Sequence, residues 1–394
     1  MNTLIPVKNN DIVSAIRGFL RDLFEIGLVD AIYVPLEANG AIVPALVTDL
    51  NQLKHANPLA PVMPINGARA VSVLTGKHPS KRLGIVLRPC EMRALIELVK
   101  LQQASLEGAV LIGIDCPGTY EIARFMENGG LTQNYGSAGS SEYLVAAKEG
   151  RSPILNGLNL RPACQMCTQP IPLGADFHLH LFGVDCSEHA PGIPVTIKDD
   201  VAAKIAEQAI LSENNGRVAW LTMNAVPPDD GQKAVIEKLI ATRQQVRQKE
   251  LTAIHNRLSL EGGMLGLFAT CIRCHNCMTA CPICYCKTCL FKTASFDHAP
   301  EHYFNSAKHK GAQRMLGDTI LFQMTRMNHM SASCVSCGMC TSACPSEIPV
   351  GMIFSAVGES VQSAFDYVPG RDVAEQLPLI TFQPNEWTEV GEAR

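Results

Sequence analysis

The sequence lacks the features that would place it in several large functional classes. Its 394 residues contain no apolar run of the roughly 18 residues that a membrane-spanning helix needs, so no transmembrane helix is expected. The net charge of −4 gives no reason to expect a nucleic acid or an anionic membrane as partner. No G-x-G-x-x-G run follows a predicted strand, so the sequence lacks the standard dinucleotide-binding motif.

The amino-terminal sequence and the cysteine content indicate the compartment. Asp11, Arg17 and Arg21 interrupt the start of the chain, so it lacks the clean apolar run of a secretion signal. Without such a signal, 16 Cys argue against a disulfide framework. Hydrophobic residues make up 47% and charged residues 18% of the chain, as in globular proteins. We therefore expect a cytoplasmic protein whose thiols bind metal.

Two copies of the pattern C-x2-C-x2-C-x3-C-P stand in the last third of the chain. The first copy is Cys271, Cys274, Cys277 and Cys281 before Pro282, and the second is Cys334, Cys337, Cys340 and Cys344 before Pro345. This is the bacterial-ferredoxin pattern for two [4Fe-4S] clusters, in which the fourth Cys of each run ligates the other cluster. We therefore predict one cluster on Cys271, Cys274, Cys277 and Cys344, and a second on Cys334, Cys337, Cys340 and Cys281. A zinc site is the alternative for one copy alone, but two complete copies favour electron transfer.

Strand and helix patterns alternate before these motifs. Amphipathic helices are predicted over 11–28 and 91–103, with a long exposed helix over 229–258. Short apolar runs predict strands at 31–35, 41–48, 82–87, 108–115, 177–184 and 193–197. The pattern predicts an α/β fold, with a mixed sheet and flanking helices over 1–228 and a connecting helix over 229–258.

The region 259–394 is expected to form a separate α-helical ferredoxin-like domain. Helical patterns near 313–327 and over 350–367 accompany the cysteine motifs, which stand farther apart than in small ferredoxins. Long helices between cluster motifs are typical of the iron–sulfur subunits of heterodisulfide reductase and succinate dehydrogenase. This analogy supports electron transfer and no particular substrate.

A second set of cysteines lies in the predicted α/β part. Cys90 follows a predicted strand in R-P-C-E, Cys116 follows another in I-D-C-P-G, and Cys164 and Cys167 form C-Q-M-C. Cys90 would stand at a helix N-terminus, where the helix dipole favours a thiolate or an anionic cluster. These four thiols could ligate a third [4Fe-4S] cluster. Buried free cysteine, a common core residue, is the alternative.

The sequence around these cysteines resembles a known family. The runs GIVLRPCEMRALIELVKL, GIDCPGT and CQMC, followed by ADFHLHLFG, resemble the coenzyme F-420 hydrogenase/dehydrogenase β-subunit family. The tail CIRCHNCMTACPICYCKTC, with HMSASCVSCGMCTSACPSEIP, looks like the formate dehydrogenase β subunits within that family. The resemblance implies a core cluster on Cys90, Cys116, Cys164 and Cys167, and a bound FAD that links a two-electron carrier to one-electron clusters.

We therefore expect an electron-transfer flavo-iron–sulfur subunit of an anaerobic oxidoreductase complex, of formate dehydrogenase or hydrogenase type. No residue set resembles a catalytic acid–base or nucleophile constellation, so the catalytic metal centre is expected on a partner subunit. The alternative is a flavin-free relay subunit of a heterodisulfide-reductase-like complex. It stays open because residues 14–19 lack the Gly-Gly stretch that the family carries in its first helix region. Residues 128–141 could contact a flavin phosphate or form a plain surface loop.

Two interpretations are open for each of several further residues. Cys284, Cys286 and Cys289 could bind another metal, completed by Cys186, His275 or His298, or could be spare thiols. His329 is expected to be structural or to hydrogen-bond a cluster. Arg88 and Glu91, which flank Cys90, are expected to form an ion pair at the helix start or to contact flavin.

Overall fold

The computed structural model describes residues 1–76, 82–131, 139–185, 192–211, 220, 229–260, 262–311 and 315–378. Within these residues seven strands form one mixed sheet. The strands are β1 (Asn2–Ile5), β2 (Ala31–Ala38), β3 (Ala41–Val47), β4 (Leu83–Leu87), β5 (Ala109–Ile114), β6 (Phe177–Leu179) and β7 (Ile193–Ile197). Their order across the sheet is β1-β7-β6-β5-β4-β2-β3.

Four neighbouring strands, β2, β4, β5 and β6, run parallel, and antiparallel strands close both sides of the sheet. All five residues of β4 are buried, as expected for a parallel strand covered on both faces. The carboxyl ends of parallel strands meet at one edge of a sheet. Cys90 and Cys116, which follow β4 and β5, are therefore brought to the same edge.

The first part of the chain contributes the helices that flank this sheet. They are α1 (Ile12–Glu25), α2 (Gly67–Thr75), α3 (Pro89–Lys100), α4 (Ile122–Glu127), α5 (Gly139–Glu149), α6 (Pro162–Gln165) and α7 (Asp199–Leu211). Helix α1 begins where Asp11 accepts a hydrogen bond from the Ser14 backbone N–H at 2.9 Å. Helix α3 begins with Pro89, and the Glu91 carboxylate accepts from the Arg88 backbone N–H at 3.0 Å. Both helices begin within two residues of the predicted starts.

The remaining helices carry the cysteine motifs at their ends. They are α8 (Asp230–Ser259), α9 (Gly263–Leu267), α10 (Asn276–Ala280), α11 (Pro300–Lys310), α12 (Thr319–Met330), α13 (Met339–Ser342) and α14 (Val350–Ala364). Helix α8 is capped by Asp229 and Gln232, which exchange hydrogen bonds with each other's backbone N–H groups. The long connecting helix is thus present, although one of its sides is buried, including Leu239 and Ile254.

Several predicted boundaries need correction. Helix α1 ends at Glu25 rather than 28, α3 spans Pro89–Lys100 rather than 91–103, and β2 continues to Ala38 rather than 35. Strand β6 ends at Leu179 rather than 184, because the chain turns at 181–182. Helix α12 begins at Thr319 and continues to Met330, and α14 ends at Ala364. Residues 139–141 of the expected loop belong to α5, while 132–138 lie outside the described residues. These shifts fall at element ends, where local sequence signals are weakest.

Two large hydrophobic cores and one smaller cluster organise the described residues. The first packs α1, with Ile16 and Phe19, against one face of the sheet. The second joins α2 and α3 on the other face to residues of the cysteine-rich part, among them Phe322 and Phe354. The domain division at 229 and 259 stays a prediction, and this second core crosses both boundaries. None of the described helices combines the length and the apolar character that a membrane crossing requires.

Candidate metal centres

The thiols of Cys271, Cys274, Cys277 and Cys344 form a group that we call the distal site. All four residues line one small cavity. Burial raises the pKa of Cys277; the Arg326 guanidinium opposes the rise, and the neighbouring thiols of Cys271, Cys274 and Cys344 add to it. Cys344 comes from the second motif, so the chain brings together the four residues that the exchanged-ligand pattern groups.

The other four motif cysteines form a group that we call the middle site: Cys334, Cys337, Cys340 and Cys281. Burial raises the pKa of Cys340 well above its usual range, and the thiols of Cys281 and Cys337 add to the rise. Burial likewise raises the pKa of Cys337 to about 12, with Cys281 and Cys334 adding to it. Cys281 of the first motif is therefore a close neighbour of the second motif's first three thiols.

The third group, which we call the core site, contains Cys90, Cys116, Cys164 and Cys167. Burial raises the pKa of Cys116 to about 11, the Arg88 guanidinium opposes the rise, and Cys164 and Cys167 add to it. Cys90 has Cys116 and Cys167 among its electrostatic neighbours. Two strand ends and the short helix α6 therefore bring four thiols together from separate segments.

The spacing of these thiols suits a cluster better than a single ion. A tetrahedral zinc with Zn–S bonds of about 2.3 Å requires sulfur atoms about 3.8 Å apart. Among the described residues, the only three Cys, His, Asp or Glu side chains with ligand atoms all within 4.8 Å of one another are Asp115, His178 and His180. Within the described residues, no three of these thiols are thus as close together as this criterion requires.

Buried cations lie beside these thiols, and the sequence reasoning did not single them out. Arg326 of α12 is 4% exposed and donates from Nη1 to Cys277 Sγ at 3.0 Å. The thiols of Cys281 and Cys340 also interact electrostatically with its guanidinium and help to raise its pKa. Arg326 therefore lies between the distal and middle sites, although its spacing from the motifs carries no local signal.

Arg161 holds the corresponding position between the middle and core sites. Its Nε donates to Thr119 Oγ1 at 2.9 Å, and its Nη2 lies 3.6 Å from Cys164 Sγ. Its Nη1 points to Met339 Sδ at 3.3 Å, within the second cysteine motif. The Cys337 thiol also acts on its charge.

Arg93 is a second cation between the same two sites. It is 8% exposed, and its Nε donates to Pro369 O at 2.8 Å. The thiols of Cys90 on one side and Cys334 on the other act on its charge. A buried guanidinium needs anionic or hydrogen-bonding partners, so these positions fit sites of negative charge.

Two of the cations keep buried polar atoms without a protein partner in the described chain. Arg243 donates from Nη2 to Pro117 O, but its Nε and Nη1 have no partner, and its charge acts on Cys164. The Nε of Arg326 is also unpartnered. Such orphaned donors beside groups of thiols are what an anionic iron–sulfur cluster would satisfy.

The three sites follow one another in space. Cys90 of the core site and Cys337 of the middle site line the same cavity of about 280 Å³, and they are electrostatic neighbours. The middle and distal sites share Arg326. The distal site lies nearest the surface, because Cys274 is exposed and the neighbouring Ile272 is 61% exposed. The order is therefore core, middle, distal.

Close approach of the core and middle sites depends on Gly338, which follows Cys337. Its φ is +71°, and a Cβ at this position would collide with the Cβ of Ala163. Ala163 immediately precedes Cys164. The absence of a side chain at 338 thus allows the two cysteine-bearing turns to touch.

Comparison with known proteins supports an iron–sulfur role for the last third of the chain. A family model described as 4Fe-4S dicluster domain matches residues 268–348. The F420-dependent formate dehydrogenase subunit beta of Methanocaldococcus jannaschii is 24% identical over 376 residues, covering 91% of this chain and 92% of the relative. The resemblance predicted from the sequence is confirmed. The class of oxidoreductase subunit is confirmed with it, since this relative is a subunit of such an enzyme.

Two further proteins are similar to the chain. The F420-dependent formate dehydrogenase 1 subunit beta of Methanococcus maripaludis is 26% identical over 306 residues, covering 74% of this chain and 73% of the relative. A chain from the F420-reducing [NiFe] hydrogenase complex of Methanosarcina barkeri has a TM-score of 0.42 and 13% identity, covering 64% of this chain and 92% of the other.

Within the dicluster domain, the additional cysteines remain without an assigned role. Burial raises the pKa of Cys284 to about 11, with Cys281, Cys286 and Cys289 adding to the rise. Cys286 is exposed, and Cys289 Sγ lies 3.8 Å from Met278 Sδ. These three thiols are neighbours without the spacing of a mononuclear site. Cys186 lies outside the described residues.

The sequence indicates three histidines as possible metal ligands or cluster partners, and the structure gives each of them a different environment. His275 packs on the Phe322 ring at 4.6 Å, and its Nε2 has no partner in the described chain. His298 stacks on His302 at 4.2 Å. His329 is exposed. None of these contacts completes a set with the additional cysteines.

Arg88 and Glu91, which flank Cys90, make their hydrogen bonds to separate backbone partners, while the Glu91 charge acts on Arg88. The Glu91 carboxylate accepts from the backbone N–H groups of Arg88, at 3.0 Å, and Gly67, at 2.8 Å. The Arg88 side chain donates to Ala60 O. Backbone donors at the helix start satisfy Glu91, which leaves the guanidinium to a nearby carbonyl.

The cavity beside Cys90 is small compared with most ligand pockets. Its volume is about 280 Å³, below the range of roughly 300–1,000 Å³ for ligand pockets. It is lined by Cys90, Cys164 and Cys167, so a cluster would fill part of it.

Proposed function

We propose that the chain is the electron-transfer subunit of an anaerobic oxidoreductase complex. In this role it carries electrons between a catalytic partner subunit and a two-electron carrier. The observation that supports this most strongly is the proximity of Cys337 and Cys90, which share one cavity. It joins the dicluster part to the thiols at the sheet edge, so that three potential electron sites follow one another.

The distal, middle and core thiols are proposed to hold one [4Fe-4S] cluster each. Such clusters, held by Cys thiolates, exchange single electrons. Burial of Cys277, together with the exposure of Cys274, keeps most of the distal site dry and leaves one side open. Arg326, Arg161 and Arg93 supply positive charge at the two gaps between sites, where negative charge would otherwise accumulate.

The proposed docking side for the catalytic partner is the surface around Cys274. This end of the series is the most exposed, and Ile272 beside it presents an apolar side chain to solvent. A formate dehydrogenase or hydrogenase catalytic subunit is the proposed partner, because the relatives named above belong to formate dehydrogenases. Their names also make coenzyme F-420 the first two-electron carrier to test.

A bound FAD is part of this proposal on chemical grounds. Coenzyme F-420 and nicotinamides exchange electron pairs, whereas clusters exchange single electrons, so a flavin is needed between them. The family resemblance supports the same cofactor. The small cavity beside Cys90 and the missing Gly-Gly stretch support the alternative, a flavin-free relay of a heterodisulfide-reductase-like complex.

Anaerobic purification of the full chain tests the proposal. We expect about twelve irons and twelve acid-labile sulfides per chain, the content of three [4Fe-4S] clusters. We also expect flavin that acid releases and fluorescence detects. Full cluster content without flavin, in a preparation that still accepts electrons from its partner, would support the relay instead. A folded chain with fewer than four irons would overturn both.

A further inference from the structure

A buried group of oxygen and nitrogen ligands lies beside the core site. Asp115 directly follows β5, while His178 lies in β6 and His180 just after it. These strands are parallel neighbours, with Gly113 opposite His178 in the register. His178 and His180 are two residues apart on a strand and share one face of it. One ligand atom from each of the three side chains lies within 4.8 Å of the other two.

Asp115 is held firmly in this position. Its side chain is 1% exposed, and Oδ2 accepts from the backbone N–H groups of Leu181, at 2.9 Å, and Phe182, at 3.2 Å. Its Oδ1 lies 2.7 Å from His178 Nε2. Because a carboxylate only accepts, the His178 Nε2–H is the donor. One proton therefore joins Asp115 to His178.

The orientation of His180 is fixed by a hydrogen-bond chain. The Thr196 hydroxyl donates to Asn2 Oδ1 at 3.0 Å, so it accepts from His180 Nε2–H at 2.9 Å. The neutral His180 ring therefore carries its lone pair on Nδ1. A metal-binding imidazole usually has its other ring nitrogen held by an oxygen partner in this way.

We propose that Asp115, His178 and His180 bind one divalent transition-metal ion of the zinc class. One carboxylate and two imidazoles are a donor set that such ions favour, either as a zinc site or as a ferrous facial triad. The ion takes the place of the proton between Asp115 and His178, and that proton is released to solvent. Two ligands of one tetrahedral zinc lie about 3.3 Å apart, so this pair opens by about 0.6 Å on binding.

The ion would fix the segment that delivers a core thiol. Asp115 immediately precedes Cys116, and Asp115 also holds the turn at Leu181 and Phe182. An ion shared by β5 and β6 ties these segments together beside the core site. The donor atoms are oxygen and nitrogen only, which separates this ion from any metal held by the thiols. The inference stands independently of the proposed function.

The test uses the full chain, purified anaerobically with its clusters loaded so that the thiols are occupied. Elemental analysis should give about one zinc per chain, and zinc X-ray absorption should show only oxygen and nitrogen ligands near 2.0–2.1 Å, without sulfur near 2.3 Å. If iron occupies the site, Mössbauer spectra of protein grown on ⁵⁷Fe should show one high-spin ferrous ion outside the clusters. The H178Q/H180Q double variant should lose the ion. The matched control, His55→Gln at an exposed position, should keep it.

Cluster iron, acid-labile sulfide and EPR spectra are measured on the same samples. Wild-type protein with clusters but without the additional ion would overturn the inference and leave the proposed function standing. Sulfur in the zinc ligand shell, or an ion that persists in a folded H178Q/H180Q variant, would also overturn it. Wild-type protein that lacks cluster iron would contradict the proposed function but not this inference. The ligands of the additional ion are measured independently, by zinc X-ray absorption.

Discussion

Arg326 donates a hydrogen bond to the sulfur of Cys277 at 3.0 Å, inside a part of the protein from which water is excluded. The same guanidinium lies over the rings of Phe322 and Phe354, 5.4 and 4.8 Å from their centroids. It is thus held in place by aromatic faces while its charge is directed at thiols of two sites. A fixed cation at this place stabilises added negative charge.

Replacing Arg326 by Met should therefore lower the reduction potential of the distal cluster. The reduced cluster carries more negative charge than the oxidised one, so it loses more electrostatic stabilisation when the cation is removed. We expect a shift of roughly −60 mV, about tenfold in the one-electron equilibrium. An EPR-monitored redox titration measures it. Arg326→Lys keeps the charge and should recover most of the shift; an unchanged potential in Arg326→Met would contradict this role.

Cys281→Ser should damage the middle cluster and spare the distal one. Cys281 belongs by sequence to the first motif, but its thiol is a neighbour of Cys334, Cys337 and Cys340. Iron content should fall by up to about four per chain, the content of one cubane. The EPR signal that is lost in Cys274→Ser, a variant of the exposed distal thiol, should remain. Loss of that signal instead would mean that Cys281 ligates the distal cluster.

Gly338→Ala should destabilise the contact between the core and middle sites. The new Cβ collides with Ala163, and the alanine must also keep the left-handed φ of the glycine. We therefore expect a loss of about 2–3 kcal/mol in the free energy of unfolding. Anaerobic denaturant titration measures this loss. Gly157→Ala is the matched control, because its φ of +77° carries the same strain with no atom within 4 Å. Adding Ala163→Gly should recover the difference between the two variants; equal losses in both would exclude the collision.

Asp22→Asn should stabilise the protein at neutral pH. Burial raises the pKa of Asp22 to about 6, although Trp220 Nε1 donates to its carboxylate at 2.9 Å. The folded state therefore holds the proton more tightly than the unfolded state, and stability falls as pH rises from about 4 to 6. Because Asp22 is only half-buried, we expect a gain of about 1 kcal/mol at pH 7, vanishing below pH 4. Thermal unfolding at several pH values checks this, and a gain that persists at pH 3.5 would contradict it.

The sequence predicts the parts of this protein that depend on local patterns. Two spaced cysteine runs, capped helices such as α3 and the alternation of strands with helices each leave a short-range signal. The grouping of Cys344 with Cys271 follows from the same pattern, because exchanged fourth ligands are a property of the repeated motif.

Long-range relationships leave no such signal. Arg326, Arg161 and Arg243 come from three different helices or their starts, and each resembles an ordinary charged residue in the sequence. Their burial follows only from the packing of distant segments against one another. The contact of Gly338 with Ala163 is of the same kind. The group of Asp115, His178 and His180 is predictable only in part. The H-x-H pattern is visible in the sequence, but the carboxylate comes from the end of another strand.

Anomalous diffraction at the iron edge, from crystals of the anaerobically purified chain, tests the central claim most directly. We predict three compact iron sites, in the order core, middle, distal. The predicted ligands are Cys90, Cys116, Cys164 and Cys167 for the core; Cys281, Cys334, Cys337 and Cys340 for the middle; and Cys271, Cys274, Cys277 and Cys344 for the distal site. Iron at fewer than three of these thiol groups, or Cys281 bound together with Cys271, Cys274 and Cys277, would contradict the account.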